Sequence, residues 1–254
     1  MASNQQITLF DIPCREPRKT WSLNPWKIRM LLNYKGLDYK TEWLEYPDIH
    51  ARLSPHLAPN PPGALADYTI PTIHIPHPTD PSQPGEYIME SLAIARRLEA
   101  LHPSPPLPID SKALAYFTAN YGDLMTRLRG FWAVEIPRRL LNPPSAAYWR
   151  PHREALFGQT LEAMEAEHGG PEEPFRRAEG RFREVTALLK EDEGGPFFEG
   201  ATVGYADFVW AGFLLFVRAI GEEGYRRVLE GSGDPGVHER LLEAVGAWTE
   251  RDSW

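Results

Sequence analysis

The sequence has one cysteine, Cys14, among 254 residues, and it has no apolar run long enough to cross a membrane. A single cysteine cannot form a disulfide within the chain, which argues against a disulfide-stabilised extracellular domain. The longest apolar run, 208–217, is far shorter than the roughly 20 residues that a membrane-spanning helix needs. The polar residues 1–6 lack the apolar segment of a signal peptide. We therefore expect a soluble, cytoplasmic protein without a membrane partner.

An excess of basic charge is also missing. The 35 Asp and Glu residues outnumber the 27 Lys and Arg residues, which gives a formal net charge of −8. A general nucleic-acid-binding protein carries a basic surface that neutralises phosphates, so we expect no nucleic-acid partner. The histidines lack Cys or carboxylate neighbours at a ligand spacing, which predicts no metal site. With 42% hydrophobic residues, the chain has instead the composition of a globular protein with a large core.

Proline is distributed unevenly along the chain. Seventeen of the 25 prolines lie in residues 1–110, where the strand patterns also occur. The rest of the chain holds eight prolines and mostly helical patterns. Between them, segment 103–109 has the composition of an extended linker. We therefore predict an α/β domain at 1–102, the linker at 103–109 and an all-helical domain at 110–254.

The first domain reads as βαβ, an irregular segment at 47–63, and then ββα. Its strand patterns are at 7–12, 39–46, 68–75 and 86–89. Asn24 before Pro25 predicts the N-cap and the first position of a helix, since proline loses no hydrogen bond there. Pro71 lies inside a strand pattern, so we expect it at a strand start, an edge or a bend. In the second domain, helices are predicted at about 110–131, 145–167, 174–191, 205–220, 222–230 and 236–249.

Two motifs have an ordinary structural interpretation. Three spaced glycines in 231–236 match a dinucleotide-binding pattern, but they follow a helical pattern and so indicate a turn between helices. Cys14 follows the first strand, where thioredoxin-like proteins keep a redox cysteine. No second cysteine lies two residues on, which excludes dithiol chemistry and leaves a one-cysteine, glutaredoxin-like role as the alternative to a structural cysteine.

Two other positions combine polar side chains with predicted helix starts. Ser22 lies two residues before Asn24, where its hydroxyl and nearby N–H groups would face an anion with help from the helix dipole. The alternative is an ordinary loop serine. Glu90 and Ser91 lie where a strand gives way to a helix. Ser91 is then either a simple cap, or the pair binds a zwitterion, with the carboxylate at Ser91 and the ammonium at Glu90.

Together these features resemble the cytosolic glutathione transferases, in which a thioredoxin-like domain precedes an all-helical domain. The resemblance is carried by Ser22 before a helix, the Ile70-Pro71 step, the Glu90-Ser91 pair, the linker and the helical half. It covers most of the chain. It implies a thioredoxin-like α/β N-terminal domain, an all-α C-terminal domain, glutathione as co-substrate without a metal, and a homodimer.

Two further segments extend the resemblance. Residues 197–200 and 205–208 look like the family's entry into its central buried helix, with Asp207 at the third helical position and Gly204 in place of the usual Ser or Thr cap. Segments within 9–49 look like the serine-type fungal transferases often called the fungal-specific A class, which are similar to bacterial β-etherases. In that pattern a serine precedes a tryptophan by four residues, as Ser22 precedes Trp26 here.

The resemblance also assigns roles to residues. Ser22 would donate a hydrogen bond to the glutathione thiolate. A thiol pKa near 8.5 must fall by about two units for full ionisation at neutral pH, which needs roughly 2.7 kcal/mol. Pro71 would follow a cis peptide that exposes the backbone of Ile70 to the cysteinyl unit. The implied glutathione-binding residues are Ser22, Asn24, Ile70, Pro71, Glu90 and Ser91.

The acceptor site is expected between the domains. Phe117, Tyr121 and Met125 recur at helical spacing on the first helix after the linker, and Trp132 lies just beyond. These four either line an apolar pocket or belong to the core. Three functions remain open: a detoxifying transferase that conjugates or cleaves hydrophobic electrophiles, an isomerase, cyclase or lyase of secondary metabolism acting on one natural product, and a non-catalytic carrier of apolar ligands.

Overall fold

The strand patterns of the first half form one four-stranded sheet. The computed structural model describes residues 6–17, 19–80 and 82–253, so most of the polar N-terminus lies outside the described ranges. The elements of this half are β1 Ile7–Asp11, α1 Leu23–Tyr34, β2 Tyr39–Trp43, α2 Ile49–Leu53, β3 Thr72–Ile75, β4 Glu86–Met89 and α3 Ser91–Leu101. The strand order is β2-β1-β3-β4.

The sheet contains both parallel and antiparallel strand pairs. β1 runs parallel to β2, with Ile7 opposite Tyr39, and antiparallel to β3. β4 is antiparallel to β3, with Ile88 opposite Ile73. Every residue of β1 is buried, because this strand is central and both faces of the sheet are covered there. The α/β assignment of the first half is therefore confirmed.

Several predicted boundaries in this half are wrong by a few residues. α1 begins at Leu23 with Ser22 as its N-cap, so Asn24 and Pro25 occupy the second and third helical positions. Pro25 still loses no hydrogen bond, since the first helical N–H groups have no acceptor within the helix. β2 ends at Trp43, and a short 3₁₀ turn, Tyr46–Asp48, leads into α2 where we predicted irregular chain. The N-cap of α3 is Glu90 rather than Ser91.

Pro71 lies at a strand start, one of the three positions that the sequence allowed. The Ile70–Pro71 peptide is cis, as the resemblance implied, and β3 begins at the next residue, Thr72. The missing N–H of the proline therefore falls outside the hydrogen-bonded ladder.

The second half is helical throughout. Its elements are α4 Lys112–Arg127, α5 Arg129–Arg139, α6 Pro143–Phe157, α7 Leu161–Glu167, α8 Glu173–Leu189, α9 Tyr205–Ile220, α10 Glu222–Ser232 and α11 Pro235–Ala244, with a 3₁₀ turn at Gly246–Trp248. The predicted helix at 145–167 is divided into α6 and α7 at Gly158, which has a left-handed conformation (φ 69°). The all-helical assignment of this half is confirmed.

Helix α5 was not predicted, because Pro137 lies inside it. A proline within a helix leaves the carbonyl four residues earlier without its usual donor. Here that carbonyl belongs to Ala133, and it accepts a hydrogen bond of 2.9 Å from the indole N–H of Trp149 on α6. The proline is thus tolerated, and the freed acceptor joins α5 to α6.

Helix α9 is the central element of the helical half. Nearly all of its residues are buried, and it is apolar on all sides. Asp207 fixes its start by accepting the N–H groups of Gly204 (2.7 Å) and Phe198 (2.9 Å). α1 packs closely on this helix, since a Cβ at Gly212 would lie 2.9 Å from the carbonyl oxygen of Leu23. The start of α1, with Ser22, is therefore held against the helical half.

The predicted linker is packed rather than free. Leu107 is only 2% exposed. The ammonium group of Lys35, the C-cap of α1, donates to the carbonyls of His102 (2.7 Å) and Pro105 (2.8 Å). The proline-rich segment is thus anchored along α1, which its composition alone did not indicate.

Candidate active site

A cavity of about 790 Å³ opens where several elements of the sheet domain begin or end. Its wall includes residues that follow β1, begin α1, precede β3 and begin α3. The structure brings together here all six residues that the sequence pointed to: Ser22, Asn24, Ile70, Pro71, Glu90 and Ser91. They come from three separate parts of the chain, so their assembly is a product of the fold.

Glu90 has an unusual backbone at this cavity. Its φ is 76°, and it is the one non-glycine residue with positive φ in the described part of the chain. Such a conformation costs about 1–3 kcal/mol and is concentrated at functional sites. Thr69 donates its hydroxyl hydrogen to the Glu90 carboxylate at 2.5 Å. The carboxylate is therefore held at the cavity beside the first residues of α3.

Ser22 occupies the N-cap of α1 without using its side chain as a cap. A capping serine normally accepts a backbone N–H from the first turn of its helix. Because this hydroxyl makes no such bond, it is available to a ligand at the positive end of the helix dipole.

Asn24 is oriented by a buried lysine. The Lys27 ammonium group donates to Oδ1 of Asn24 at 2.7 Å and lies 5.1 Å from the ring centroid of Tyr121. Because the amide oxygen accepts this bond, the amide NH₂ group of Asn24 is the donor left for a ligand. Burial lowers the pKa of Lys27 to about 8, and the negative charge of Glu90 opposes that shift.

A second cavity, of about 400 Å³, lies against the first. The two share Ser22, Asn24, Tyr46, Leu65 and Arg153. Aromatic rings dominate the wall of the second cavity; they are Trp21, Tyr46, Tyr121, Trp132, Trp149, Phe157 and Phe216. The Ser22 side chain thus stands at the junction of a polar cavity and an aromatic one.

Three of the four predicted acceptor residues line the second cavity: Tyr121, Met125 and Trp132. Phe117 does not. It is 3% exposed, and its ring packs between Trp210 (centroids 5.9 Å apart) and Phe198 (5.5 Å). The assignment of Phe117 to the pocket is therefore corrected to the core.

Sequence reasoning missed the α6 side of the site. Trp149 and Arg153 on α6 line the second cavity, and Tyr148 and His152 line the first. An aromatic residue followed four positions later by a basic one shares a helix face, which was the available signal. Tyr46, in the turn after β2, carried no signal of its own.

Cys14 and the glycine-rich segment have structural roles. The Cys14 thiol is buried and donates to the carbonyl of Lys19 at 3.3 Å, and burial raises the pKa of the thiol. It lines neither cavity. The predicted turn between α10 and α11 is formed at Gly233, which has a left-handed conformation, whereas Gly231 and Gly236 lie within the two helices.

Neither a metal cluster nor a membrane span is found in the described ranges. No three His, Cys, Asp or Glu side chains at 6–17, 19–80 or 82–253 come together to hold a metal ion. Among the helices of these ranges, none combines the length and apolar character needed to cross a membrane.

Comparison with known proteins identifies the family. Residues 21–101 match the glutathione S-transferase N-terminal domain, and residues 115–248 match the glutathione S-transferase C-terminal domain. The glutathione S-transferase-like protein ustS of Aspergillus flavus is 31% identical over 96% of this chain and 91% of its own length.

Solved structures agree with this match. The glutathione transferase GSTFuA3 of Phanerochaete chrysosporium is 30% identical with a TM-score of 0.77, over 96% of this chain and 97% of its own. The glutathione S-transferase CsGST83044 of Ceriporiopsis subvermispora, solved in complex with glutathione, gives the same identity and TM-score over 95% of this chain and 98% of its own. This chain belongs to the glutathione S-transferase family.

Proposed function

We propose that this protein is a serine-type glutathione transferase that attacks a hydrophobic electrophile with a glutathione thiolate. The observation that carries the proposal is the position of Ser22, on the wall shared by a polar cavity and an aromatic one. A sulfur atom held at this serine would face an acceptor in the second cavity. The similarity to the glutathione transferase GSTFuA3 supports the same assignment.

In the first cavity, glutathione would be bound by groups that match its own. The γ-glutamyl ammonium pairs with the Glu90 carboxylate, and the γ-glutamyl carboxylate accepts hydrogen bonds from Ser91 and the N–H groups at the start of α3. The backbone of Ile70 pairs with the cysteinyl unit in an extended arrangement. These contacts place the sulfur toward Ser22 and Asn24.

Ser22 and Asn24 then act on the thiolate. The thiol releases its proton to solvent, and the Ser22 hydroxyl donates a hydrogen bond to the resulting anion. A hydrogen bond to a charged group contributes about 1.5–3 kcal/mol, and the dipole of α1 adds roughly 0.3–1 kcal/mol. The sum is close to the roughly 2.7 kcal/mol that a two-unit fall in thiol pKa requires. The sulfur attacks the acceptor carbon, and the C–S bond replaces the bond to the leaving group.

The test is Ser22→Ala with Ser22→Thr as the matched control that keeps a hydroxyl. We expect Ser22→Ala to lower kcat at neutral pH by about 10–100-fold. The pKa of bound glutathione, read from thiolate ultraviolet absorbance, should rise in the same variant. Binding of glutathione, measured by calorimetry, should stay close to that of the wild type. An unaltered thiolate titration in Ser22→Ala would remove Ser22 from the mechanism.

A second candidate is an isomerase, cyclase or lyase acting on one natural product. Two arginines, Arg129 and Arg153, line the second cavity, whose other lining residues are uncharged, and this favours a selective acceptor over a general apolar one. Glutathione consumed in proportion to product supports the transferase, whereas product formed without net consumption supports this candidate. Tight ligand binding with no turnover would support a carrier instead.

The expected assembly and compartment follow from the same assignment. We propose a homodimer, to be measured by sedimentation, and a reducing cytoplasmic environment, which suits a glutathione-dependent protein with a single buried thiol.

A further inference from the structure

Arg153 is a buried guanidinium on the wall between the two cavities. It lies on α6, is 7% exposed, and lines both spaces. Its Cζ is 4.3 Å from the ring centroid of Trp149, and its Nη1 lies 3.0 Å from Nδ1 of His152. Its buried Nε has no hydrogen-bond acceptor within the described part of the chain.

The charge of Arg153 is not balanced by a carboxylate in the described residues. Arg150, one turn earlier and nearly half exposed, pairs with both Glu154 and Glu162 at about 3 Å. The more buried arginine on the same helix has no such pair, although the chain carries an excess of acidic residues. An arginine stays charged in proteins, so burial without a counter-ion is costly.

The polar groups that face Arg153 are neutral at physiological pH. Partial burial lowers the pKa of His152, and the neighbouring Arg153 charge lowers it further. The imidazole is therefore uncharged, and its Nδ1 accepts the guanidinium N–H. Burial raises the pKa of Tyr46 to about 12, so this hydrogen-bonding neighbour of Arg153 keeps its proton. Neither group compensates the positive charge.

A second arginine strengthens the positive character of the aromatic cavity. Arg129 lines it, lies 4.5 Å from the ring centroid of Phe157, and has a buried Nε without an acceptor among the described residues. None of the described residues that line this cavity is Asp or Glu. The cavity thus offers stacking rings together with unpaired guanidinium groups.

We propose that Arg153 binds a carboxylate group on an aromatic acceptor substrate, so that the protein selects aromatic acids. This inference rests on the proposed function, because it names the acceptor class of the same site. The planar guanidinium matches a carboxylate in shape and charge, and the rings of the second cavity receive the aromatic body. The glycyl carboxylate of glutathione carries the same chemistry, so the experiment must separate the two sources.

The test compares two acceptors with the same electrophilic carbon, a chlorodinitrobenzoate and its methyl ester. Each rate is divided by the spontaneous rate with free glutathione, which removes the difference in intrinsic reactivity. We expect the wild type to prefer the benzoate. In Arg153→Met, the ratio of kcat/KM for benzoate over ester should fall by about 10–100-fold, mainly through the KM of the benzoate.

The control variant is Arg150→Met, on the same helix and outside both cavities; it should leave the ratio and both rates unchanged. If Arg153→Met raises the KM of glutathione and lowers the rates with both acceptors equally, the bound carboxylate is that of glutathione and the acceptor assignment is overturned. If the corrected kcat/KM of the wild type is the same for both acceptors, the acceptor assignment is also overturned. This result does not depend on whether any variant folds.

Direct binding separates this inference from the proposed function. Quenching of tryptophan fluorescence by the benzoate, with Trp149 and Trp132 lining the cavity, reports binding without turnover. If neither acceptor is conjugated but the wild type binds the benzoate more tightly than the ester, and Arg153→Met does not, the transferase proposal fails and the anion site stands. If binding is equal for both compounds, the anion site fails.

Discussion

Arg29 and Arg153 are both buried, but among the residues that the structure describes only Arg29 has a carboxylate partner. The Arg29 guanidinium lies 3.1 Å from Asp11, with neither side chain exposed, and donates to the Thr41 hydroxyl at 2.8 Å. This cluster joins β1, α1 and β2. Arg153 lies against neutral groups and an open cavity. A buried charge that is paired within the protein stabilises the fold, whereas a buried charge at a cavity without a counter-ion indicates a charged ligand.

The largest expected effect is on the paired arginine. Arg29→Met leaves Asp11 buried and without its cation, which should lower the free energy of unfolding by about 3–5 kcal/mol. The measurement is urea unfolding followed by circular dichroism. The double variant Arg29→Met with Asp11→Leu should recover most of this loss, since removal of both charges leaves no uncompensated ion. If the double variant is no more stable than the single one, the pair is not the cause.

Asp207 is a buried carboxyl group whose partners are backbone N–H groups instead of a cation. Asp207→Ala leaves the N–H groups of Phe198 and Gly204 without their acceptor. Each unsatisfied buried donor costs about 1–3 kcal/mol, and removal of the desolvated carboxyl group offsets part of that cost, so we expect a loss of about 2–4 kcal/mol in the same unfolding assay. Exchange of these two amide hydrogens should also become faster. Protection equal to the wild type would show that other groups hold the start of α9.

Lys27 is a buried cation whose hydrogen-bond acceptor and ring contact are both neutral, namely the Asn24 amide and the Tyr121 ring. Burial lowers its folded-state pKa to about 8, whereas an unfolded lysine titrates near 10.4. Between these values the unfolded state binds more protons, so stability rises with pH across that window. Below pH 8 the cost is fully present, at about 3 kcal/mol, and the contacts of Lys27 with Asn24 and the Tyr121 ring offset part of it.

We therefore expect Lys27→Met to be more stable than the wild type at pH 7 by about 2 kcal/mol, with the difference shrinking toward pH 10. Unfolding curves for both proteins at several pH values measure this directly. Lys112→Met, which removes an exposed lysine, should show no such pH-dependent difference. Parallel curves for Lys27→Met and the wild type would contradict the expectation.

The two cavities differ in how much of each the sequence could predict. The residues of the first cavity could be named in advance, because Ser22, Glu90 and Pro71 each stand next to a predicted helix or strand and the family resemblance assigned them to one site. The aromatic cavity was only partly predictable. Phe117 and Tyr121 lie four residues apart on one helix face, yet the first packs on α9 and the second reaches the cavity. An apolar stripe is wide enough to serve both, and spacing does not divide it.

Arg153 could not be placed from sequence for a related reason. Its neighbour Tyr46 lies about a hundred positions earlier, in a turn whose type the sequence did not predict. Helix α6 meets that turn directly, because the Ser145 hydroxyl on α6 accepts the N–H of Tyr46 at 2.9 Å. The indole hydrogen bond of Trp149 to the Ala133 carbonyl, which Pro137 leaves free, also joins α6 to α5 beside the second cavity.

The smallest expected effect on stability is on the unpaired arginine. Arg153→Met removes an uncompensated buried charge, which favours folding, and loses its contact with the Trp149 ring, worth about 0.5–2 kcal/mol. The two terms oppose each other, so we expect a change within about 1 kcal/mol, several times smaller than for Arg29→Met.

For the stabilisation that a bound ligand adds, we expect the opposite order: Arg153→Met should lose most of it and Arg29→Met should keep it. A benzoate at about 100 times its dissociation constant adds roughly 2.7 kcal/mol to the wild type, and it should add far less to Arg153→Met. Thermal melting of both proteins with and without the benzoate measures this, with Arg29→Met as a control that is unstable but keeps the ligand-induced shift. If Arg153→Met instead lowers the free energy of unfolding by about 3 kcal/mol without ligand, as Arg29→Met should, then Arg153 is a structural residue like Arg29.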